Sequence, residues 1–333
     1  MKVAVLSPVA WRTPPRHYGP WEQMASNLTE GLVAAGLEVT LFATGESITT
    51  AVLNSVVEKG YEEDRSQDAK VLECLHISNL MERAGEFDLI HNHFDFLPLS
   101  YSGLVKTPVI TTIHGFSSER IIPVYQKYNE HGHYVSISDA NRHPLLNYLG
   151  TVYNGLNSDE FEFRPQGGNY LLFFGRIHPD KGTAEAIEIA LQSNRKLIIA
   201  GIIQDENYFK EKVEPFLGDQ VEFIGSAGPE KRNELLGGAY ALLHPINFAE
   251  PFGLSVAEAM LCGTPVIAFN KGSMPELIND QKTGFLVSTT DEAINAVSAI
   301  DTINRKNCRE WALKKFSKEK MVEDYLALYH QII

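Results

Sequence analysis

Two glutamates, Glu250 and Glu258, stand on either side of a predicted helix start in the almost wholly apolar stretch ALLHPINFAEPFGLSVAEAMLCGTPVIAF. From Phe252 to Cys262 apolar residues occur on every side of the helical pattern, which is typical of a buried helix, and Glu258 is the only charge there. A buried carboxylate without a partner is strongly unfavourable or takes up a proton. We therefore expect hydroxyl groups or positive charge to meet Glu258.

The predicted helix start offers further binding groups. The backbone N–H groups from Phe252 to Ser255 lack acceptors within the helix, so they can hold an anion. Glu250 can accept hydrogen bonds from sugar hydroxyls, and Glu258 can accept two from a ribose diol. Each glutamate also has an ordinary alternative, a capping carboxylate at Glu250 and a buried ion pair at Glu258.

Two cations follow a predicted strand in FFGRIHPDKG. Arg176 and Lys181 flank a tight turn, and a helix is predicted to begin near Thr183. Positive charge above a helix start suits a phosphate or diphosphate, since arginine offers a planar fork and lysine a point charge. A surface ion pair beside a Pro-Asp turn is the alternative.

The loop from Ser7 to Pro20, SPVAWRTPPRHYGP, is longer than most connections between a strand and a helix. Gly19 would allow a ligand close to the backbone, and Arg12, Arg16 and His17 gather cations in an otherwise acidic half of the chain. These residues could hold an anionic group of a substrate. A proline-stiffened flap with solvated arginines is the alternative.

Histidines end two predicted strands. His91 and His93 in DLIHNHF point to the same face of a strand, so with Asp95 or His114 they could bind a metal. A metal hydrolase built on them would leave Arg176 and the glutamate pair unexplained. We prefer hydrogen-bonded core roles for His91 and His93, with only His114 reaching a ligand.

Parallel βα repetition must position these residues. Short apolar runs alternate with helical patterns, which indicates strands buried on both faces of two doubly wound sheets. The runs are VAVLSPV, VTLFAT, DLIHNHF, PVITTIHG, YVSISD, YLLFFGR, KLIIAG, VEFIG, YALLHP, PVIAF and FLV. The polar segment from Asn157 to Asn169 separates the strand TVYNG from YLLFFG and marks the domain boundary. A short linker there predicts a cleft between the carboxyl edges of the two sheets.

Composition narrows the class of protein. The 333 residues carry a net charge of −13, which argues against nucleic acid or an anionic membrane as partner. The three cysteines form no CxxC pair and no run approaches a membrane span, so we expect a reducing, cytoplasmic location and a soluble acceptor. The apolar start, MKVAVLSPVAWR, fits a first buried strand better than a signal peptide.

Together these segments resemble the retaining GT-B-fold glycosyltransferases of family 4, the glycosyl transferases group 1, whose hallmark is Glu, seven residues and Glu, here Glu250-PFGLSVA-Glu258. The resemblance covers essentially the whole chain through RHYGPWEQMASNL, TIHG, SISDA, VYNGLN, GRIHPDKG, VEFIGS, CGTPVIAFNKGSMPEL and KTGFLV. It implies α/β architecture with two Rossmann-like domains facing a cleft. We expect an acceptor domain at residues 1–160, a nucleotide-sugar domain at 161–311, and a C-terminal helix at 312–333 that packs back toward the first domain.

The resemblance implies a role for each motif. Arg176 and Lys181 would hold the diphosphate of a nucleotide sugar, and His114 would contact the transferred sugar. Glu250, together with the segment Pro251, Phe252, Gly253 and Leu254, would grip that sugar, and Glu258 would bind the ribose. Gly19 would let the first loop touch the diphosphate, although this chain has Tyr18-Gly19-Pro20 where the family usually has two adjacent glycines. Apart from the resemblance, we expect Arg12, Arg16 and His17 to bind a phosphate or carboxylate on the acceptor or to help hold the donor diphosphate, and His93 to lie on the acceptor side.

The expected activity is transfer of a hexosyl group, with retention, from a UDP-sugar or GDP-mannose to a hydroxyl of a small or glycan acceptor in carbohydrate biosynthesis. No Asp-x-Asp motif occurs, so we expect no metal and no cofactor. A nucleotide-sugar epimerase or a glycan phosphorylase, a non-catalytic nucleotide-sugar-binding protein and the His91/His93 metal hydrolase stay open as alternatives. The sequence leaves the base, the sugar, the linkage and the oligomeric state undetermined.

Overall fold

The computed structural model describes all 333 residues, and they form two compact units. The first unit contains Met1–Leu156 and Lys318–Ile333, and the second contains Asn157–Ser317. The chain leaves the first unit a few residues before the expected boundary at 160/161 and returns to it a few residues after 311/312.

Seven parallel strands form the sheet of the first unit, in the order β3-β2-β1-β4-β5-β6-β7. The strands are β1 Lys2–Leu6, β2 Glu38–Phe42, β3 Val52–Asn54, β4 Leu89–Asn92, β5 Val109–Ile113, β6 Tyr134–Ser136 and β7 Tyr148–Thr151. The helices between them are α1 Pro20–Ala34, α2 Ala69–Met81, α3 Leu99–Ser102 and α4 Ile122–Lys127. In the register of the central strands Val5 pairs with Leu41 on one side and His91 on the other.

Six parallel strands form the sheet of the second unit, in the order β10-β9-β8-β11-β12-β13. The strands are β8 Tyr170–Phe174, β9 Lys196–Ala200, β10 Val221–Phe223, β11 Ala241–His244, β12 Val266–Phe269 and β13 Gly284–Val287. The helices are α5 Thr183–Gln192, α6 Glu206–Lys212, α7 Pro229–Gly238, α8 Leu254–Leu261, α9 Met274–Leu277, α10 Thr290–Ala299 and α11 Arg305–Phe316. All six strands run parallel, so their carboxyl ends share one edge, where β8 and β11 lie side by side.

The last helix, α12 Lys318–Ile332, belongs to the first unit and packs against α1. Gly31 of α1 makes this packing close, because a Cβ there would lie 2.3 Å from Cγ2 of Val322. Tyr325 and Tyr329 of α12 are fully buried in the core of the first unit. No helix in the structure combines the length and the apolar character needed to cross a membrane.

The predicted fold class, two parallel-sheet α/β domains of the GT-B type, is confirmed, and each of the eleven apolar runs contains a strand. The edge strands were harder to predict. Strand β3 was missed because it has only three residues and these are partly exposed. The predicted strand TVYNG overlaps β7 only at Thr151. β7 carries Gly150 and packs its half-exposed residues at the sheet edge, so it lacks an apolar run.

Two helix predictions need correction. The helix expected from Phe252 begins only at Leu254, because Gly253 adopts a left-handed conformation with φ of 94°. The C-terminal helix expected at 312–333 is not continuous, because Ser317, between α11 and α12, has an extended backbone. By contrast, the helix predicted to begin near Thr183 is confirmed as α5.

Candidate active site

The turn after β8 places two cations at the carboxyl edge of the second sheet. Arg176 follows the strand, and Lys181 ends a single 3₁₀ turn, Pro179–Lys181. The next residue, Gly182, has φ of 75°, and a Cβ there would lie 1.8 Å from the carbonyl oxygen of Pro245. Only glycine fits this position, so the turn after β8 is pressed against the segment that follows β11.

Lys181 and Glu250 form an ion pair at this contact, between Nζ and Oε2. The side chains retain 14% and 13% of their exposure, so the pair is largely shielded from solvent. Nζ also lies 4.7 Å from the centroid of the Phe248 ring, a cation–π contact. The sequence indicated separate ligand-binding roles for Lys181 and Glu250, whereas the structure brings the two charges together.

His244 completes this charged group at the end of β11. Its Nε2 lies 3.9 Å from Oε2 of Glu250 and has no hydrogen-bond partner although it is buried. Burial lowers the pKa of His244 to about 4, so the ring is neutral near neutral pH. Lys181 is therefore the cation that compensates Glu250.

The loop after β12 fixes the backbone of Glu250. The N–H of Ser273 donates to the carbonyl oxygen of Glu250 at 3.0 Å, and its hydroxyl donates to that of Phe252 at 2.6 Å. Gly272 has φ of 54°, and a Cβ there would lie 2.3 Å from the Glu250 nitrogen. The KGS segment of CGTPVIAFNKGSMPEL thus positions Glu250, a role that the sequence analysis did not assign.

Arg176 differs from Lys181 in its partner. Its Nη1 donates to the amide oxygen of Gln204, and no carboxylate forms an ion pair with it. A partly exposed guanidinium bound to a neutral amide keeps its positive charge uncompensated. That charge is available for an anion at this edge of the sheet.

Helix α8 begins next to Glu250 and carries Glu258. Gly253 precedes its first turn, where the N–H groups of Leu254 and Ser255 have no intrahelical acceptor. Glu258 lies on the second turn and is only 7% exposed. Its Oε1 accepts from Nη1 of Arg232 at 3.1 Å, so the charge that we expected to meet Glu258 comes from α7.

Sequence reasoning missed Arg232. The argument that buried Glu258 needs a cation was correct, but the segment PEKRNELL offers Lys231 and Arg232 side by side. Neighbouring residues on a helix point in directions about 100° apart, and the polar pattern there does not say which one faces α8. In the structure Lys231 pairs instead with Glu234 on the surface.

Neutral aromatic rings line the carboxyl edge of the first sheet. His114 follows β5 and stacks on Trp21 of α1, with ring centroids 5.6 Å apart. Nε2 of His114 and Nδ1 of His93 form a hydrogen bond of 2.9 Å. Both histidines are buried, and burial lowers the pKa of His114 to about 3.

His91 belongs to the core, as preferred from the sequence. Its Nδ1 bonds the hydroxyl of Tyr329 at 2.6 Å, and its Nε2 bonds that of Thr112 at 2.7 Å. The rings of His91 and His93 stack with centroids 4.3 Å apart, as expected for one face of a strand. Because both nitrogens of His91 are engaged in the core, this geometry speaks against His91 as a metal ligand.

The first loop is tied down by carboxylates. Nη1 and Nη2 of Arg16 bond Glu63 and Glu46 at 2.8 and 2.9 Å, so Arg16 is not the solvated or ligand-seeking cation that the sequence indicated. Nε of Arg12 donates to the carbonyl oxygen of Pro14 at 2.9 Å, and its two terminal nitrogens have no hydrogen-bond partner. His17 is exposed.

Gly19 caps α1 with φ of 153°. A Cβ there would lie 2.9 Å from both Oε2 of Glu22 and Cβ of Pro15, so the chain itself occupies the space beside this glycine. Glu22 is buried, and its Oε1 accepts from the N–H of Trp11 at 3.3 Å. Gly19 is therefore required for packing of the first loop. The sequence analysis had assigned this glycine only to close approach of a ligand.

Comparison with known proteins places this arrangement in a family. Residues 157–319 match the family described as Glycosyl transferases group 1. The second unit is a glycosyltransferase domain of group 1. This match covers the ion pair of Lys181 with Glu250, the uncompensated Arg176 and the α8 start with Glu258.

Relatives extend the likeness beyond the second unit. An uncharacterized glycosyltransferase of Methanocaldococcus jannaschii is 24% identical over 335 residues, 86% of this chain and 85% of its own length. AviGT4, a glycosyltransferase of avilamycin A biosynthesis, is 24% identical with a TM-score of 0.74 over 100% of this chain and 98% of its own. HepE of Anabaena, crystallised with UDP-glucose, is 19% identical with a TM-score of 0.74 over 99% and 100%. These structures share the GT-B fold with this glycosyltransferase.

Proposed function

We propose that this glycosyltransferase moves a hexosyl group from a nucleoside-diphosphate sugar to a hydroxyl of a soluble acceptor, with retention of configuration. The observation that carries the proposal is the charge arrangement of the second unit. Lys181 and Glu250 form a shielded ion pair, and Arg176 stays uncompensated at the same sheet edge. The start of α8 follows Glu250 directly.

The donor assignments follow from these contacts. Arg176, Lys181 and the first-turn N–H groups of α8 supply positive charge for a diphosphate. Glu250, with the backbone from Pro251 to Leu254, would accept hydroxyls of the sugar, and Glu258 would accept those of the ribose through its Oε2, which has no partner. HepE, which has the same fold, was crystallised with UDP-glucose, a donor of this chemical class.

The chemistry depends on charge separation. When the bond from the anomeric carbon to the diphosphate breaks, negative charge develops on the leaving phosphate and positive, oxocarbenium-like charge on the sugar. Arg176 and Lys181 would stabilise the leaving group from fixed positions. On binding, the diphosphate would take over Lys181 from Glu250, and Glu250 would then be free to accept sugar hydroxyls. These two cations are the reason to propose transfer without a divalent metal.

Retention follows from attack on the face from which the leaving group departs. The side chains beside Glu250 are Lys181 and a neutral His244, and neither is an evident nucleophile toward the anomeric carbon. We therefore propose direct front-face attack by the acceptor hydroxyl, with the leaving phosphate as the group that receives its proton.

The first unit would supply the acceptor side. His114 would contact the transferred sugar, and His93, whose Nε2 is buried without a partner, would meet an acceptor hydroxyl. Of the first-loop cations Arg12, Arg16 and His17, Arg12 would hold an anionic group where the acceptor carries one. Of these three, Arg12 has open donors, whereas an anion at Arg16 would have to displace Glu46 and Glu63.

A donor screen tests the proposal. UDP-, GDP- and ADP-sugars are added to the protein, and thermal unfolding is followed, because a ligand that binds only the folded state raises its stability. The stabilising donor is then incubated with simple sugar and inositol acceptors, with and without chelator. NMR of the product should show the anomeric configuration of the donor. Absence of any stabilising nucleotide sugar, or product with inverted configuration, would contradict the proposal.

A further inference from the structure

Arg232 is the one charged neighbour of Glu258 that neutralises it. It lies on the first turn of α7 and bonds Oε1 of Glu258 at 3.1 Å, while its Nη2 lies 3.5 Å from Oε2 of Glu160. The guanidinium also lies 5.0 Å from the centroid of the Phe161 ring. Its Nε is buried without a hydrogen-bond partner, so the side chain is held by its two terminal nitrogens and this ring.

The hydrogen bond from Arg232 makes the two carboxylate oxygens of Glu258 different. Oε1 is bound to Arg232, whereas Oε2 has no hydrogen-bond partner. A carboxylate whose one oxygen is fixed by a guanidinium presents its other oxygen in a set direction, without loss of rotamer freedom when a ligand arrives. That oxygen is the one that remains for a hydroxyl group.

We propose that Arg232 is a positioning residue that holds Glu258 ready to accept hydrogen bonds from the ribose of the donor. The inference rests on the proposed function, since it takes the ligand of Glu258 to be the ribose of a nucleotide. Arg232 itself does not touch the reacting atoms. It acts through Glu258, on donor affinity and on the recognition of ribose hydroxyls.

Charge supports this role. Burial raises the pKa of Glu258, the nearby Arg232 lowers it, and Glu160 raises it. The other titratable groups near this end of α8 are Cys262, Arg309 and Arg305. Arg309 and Arg305 bond backbone carbonyl oxygens, with Arg305 also bonding the Thr264 hydroxyl, and Cys262 bonds Asn233. Without Arg232, the pKa of Glu258 would rise further, and a protonated Glu258 is a poorer acceptor toward a diol.

The test compares nucleotides that differ only in the ribose. UDP and 2′-deoxy-UDP are titrated into the wild type, Arg232→Met and Arg232→Lys by calorimetry, with the GDP or ADP pair used instead if the donor screen selects that base. The ratio of the two affinities cancels the titration of the phosphate. Arg232→Met retains the bulk of the side chain and removes its charge, whereas Arg232→Lys retains the charge.

In the wild type we expect UDP to bind about tenfold or more tightly than 2′-deoxy-UDP, since a hydrogen bond to a charged group contributes at least that much. Arg232→Met should weaken this preference at about pH 7 and recover it as the pH is raised to about 9, because loss of Arg232 raises the pKa of Glu258. Arg232→Lys should preserve it at both values. In turnover, Arg232→Met should raise KM for the donor and leave kcat unchanged.

The outcomes separate the two proposals. If the wild type binds no nucleotide, the proposed function fails. If the wild type prefers ribose and Arg232→Met shows the same preference at about pH 7, Arg232 only joins α7 to α8 and the inference is wrong. A wild type that binds both nucleotides equally also overturns the inference, while the proposed function survives.

A second variant covers the case in which Arg232→Met does not fold. Glu160→Gln removes a partly exposed negative charge beside the pair and leaves Arg232 in place. Because Glu160 raises the pKa of Glu258, this variant should retain the ribose preference to a lower pH than the wild type. An unchanged acid limit in Glu160→Gln would contradict the inference.

Discussion

The two sheet edges present opposite chemistry. At the edge of the first sheet, His114, His93 and Trp21 form a buried group of rings in which the histidines are neutral. At the edge of the second sheet, the ion pair of Lys181 with Glu250 and the uncompensated Arg176 concentrate fixed charge. The same parallel-strand architecture therefore carries neutral side chains at the sheet edge of one unit and charged side chains at the sheet edge of the other.

Under the proposed function, this difference gives the two edges different roles in transfer. A diphosphate leaving group needs permanent positive charge, which lysine and arginine retain in a partly shielded setting. A sugar hydroxyl needs hydrogen bonds from groups that neither attract the diphosphate nor repel a developing cation. Neutral His93 and His114 would satisfy that requirement, because burial lowers the pKa of both well below the usual histidine value.

The largest effects should come from the residues at the centre of each edge. Lys181→Ala, Glu250→Ala and His114→Ala should each lower kcat by about 10²–10³ while the protein stays folded, as for the loss of one preorganised transition-state contact. Initial rates with the donor found in the screen, and circular dichroism for folding, measure this. Near-normal turnover in all three variants would contradict the site assignment.

The exposed pair of Lys196 with Glu222 provides a matched control. It joins β9 to β10 in the same sheet at a distance of 2.7 Å, and it lies outside the charged group of Lys181 and Glu250. Lys196→Ala should leave the rate unchanged and alter the free energy of unfolding by less than about 1 kcal/mol, since exposed ion pairs contribute little. A large loss of rate in this control would mean that any charge removed from the sheet impairs activity.

A backbone change should separate position from charge at the second edge. Gly272→Ala adds a Cβ 2.3 Å from the Glu250 nitrogen and retains every charged group. We expect Glu250 to shift and kcat to fall by about 10², as for a reacting group displaced by about 1 Å. Gly36→Ala is the control, because Gly36 also has positive φ, 86°, but nothing lies within 4 Å of an added Cβ. Equal rates in both variants would contradict the positioning role of Gly272.

Sequence patterns predicted the features that depend on residues close together in the chain. Eleven strands were found because buried parallel strands are continuous apolar runs, and the Glu250–Glu258 spacing follows one short segment. Contacts between distant segments were not predictable in this way. Arg16 meets Glu46 and Glu63, far from it in sequence, and Gly19 is required by the packing of Pro15 and Glu22.

Acid should destabilise the first unit more than the second. Its buried histidines are His76, His91, His93 and His114, and burial lowers the pKa of all four, to about 3 for His91 and His114. A folded-state pKa below the unfolded value means that the stability is complete above about pH 6.5 and is lost as the pH falls. Burial raises the pKa of Glu22 to about 7 and of Asp95 to about 6, which opposes this loss.

Four buried histidines and two buried carboxyl groups oppose each other, which leaves a net effect of two histidines. The free energy of unfolding of the first unit should therefore fall by about 2–3 kcal/mol per pH unit between about pH 6 and pH 5. In the second unit His244 and Glu258 shift in opposite directions and largely cancel. Urea unfolding of Trp311→Phe, which reports on Trp11 and Trp21, should therefore show the acid sensitivity. The variant Trp11→Phe/Trp21→Phe, which reports on Trp311, should not; a greater loss at Trp311 would contradict the comparison.

Neutral substitution should be tolerated better at the first edge than at the second. His114→Gln retains an uncharged hydrogen-bonding side chain and should lower kcat only about tenfold, the value of one neutral hydrogen bond placed less well. Lys181→Gln removes the charge and should lower kcat as much as Lys181→Ala. The pH profile of His114→Gln should match that of the wild type between about pH 6 and pH 8, since the wild-type ring does not titrate there. Equal losses in His114→Gln and Lys181→Gln would remove the contrast between the two edges.

The smallest effect concerns the arginines of the first loop. Arg16 is 43% exposed and already bonds Glu46 and Glu63, so Arg16→Ala should change the free energy of unfolding little and leave acceptor choice unchanged. Arg12 has two open terminal nitrogens, so Arg12→Ala should reduce use of a phosphorylated acceptor about tenfold relative to its neutral counterpart, through loss of a charge-assisted hydrogen bond. Paired rates on inositol and inositol phosphate measure the ratio. If both variants use the two acceptors in the wild-type proportion, the first loop does not recognise the charge of the acceptor. Acceptor choice would then depend on His93 and His114 at the edge of the first sheet alone.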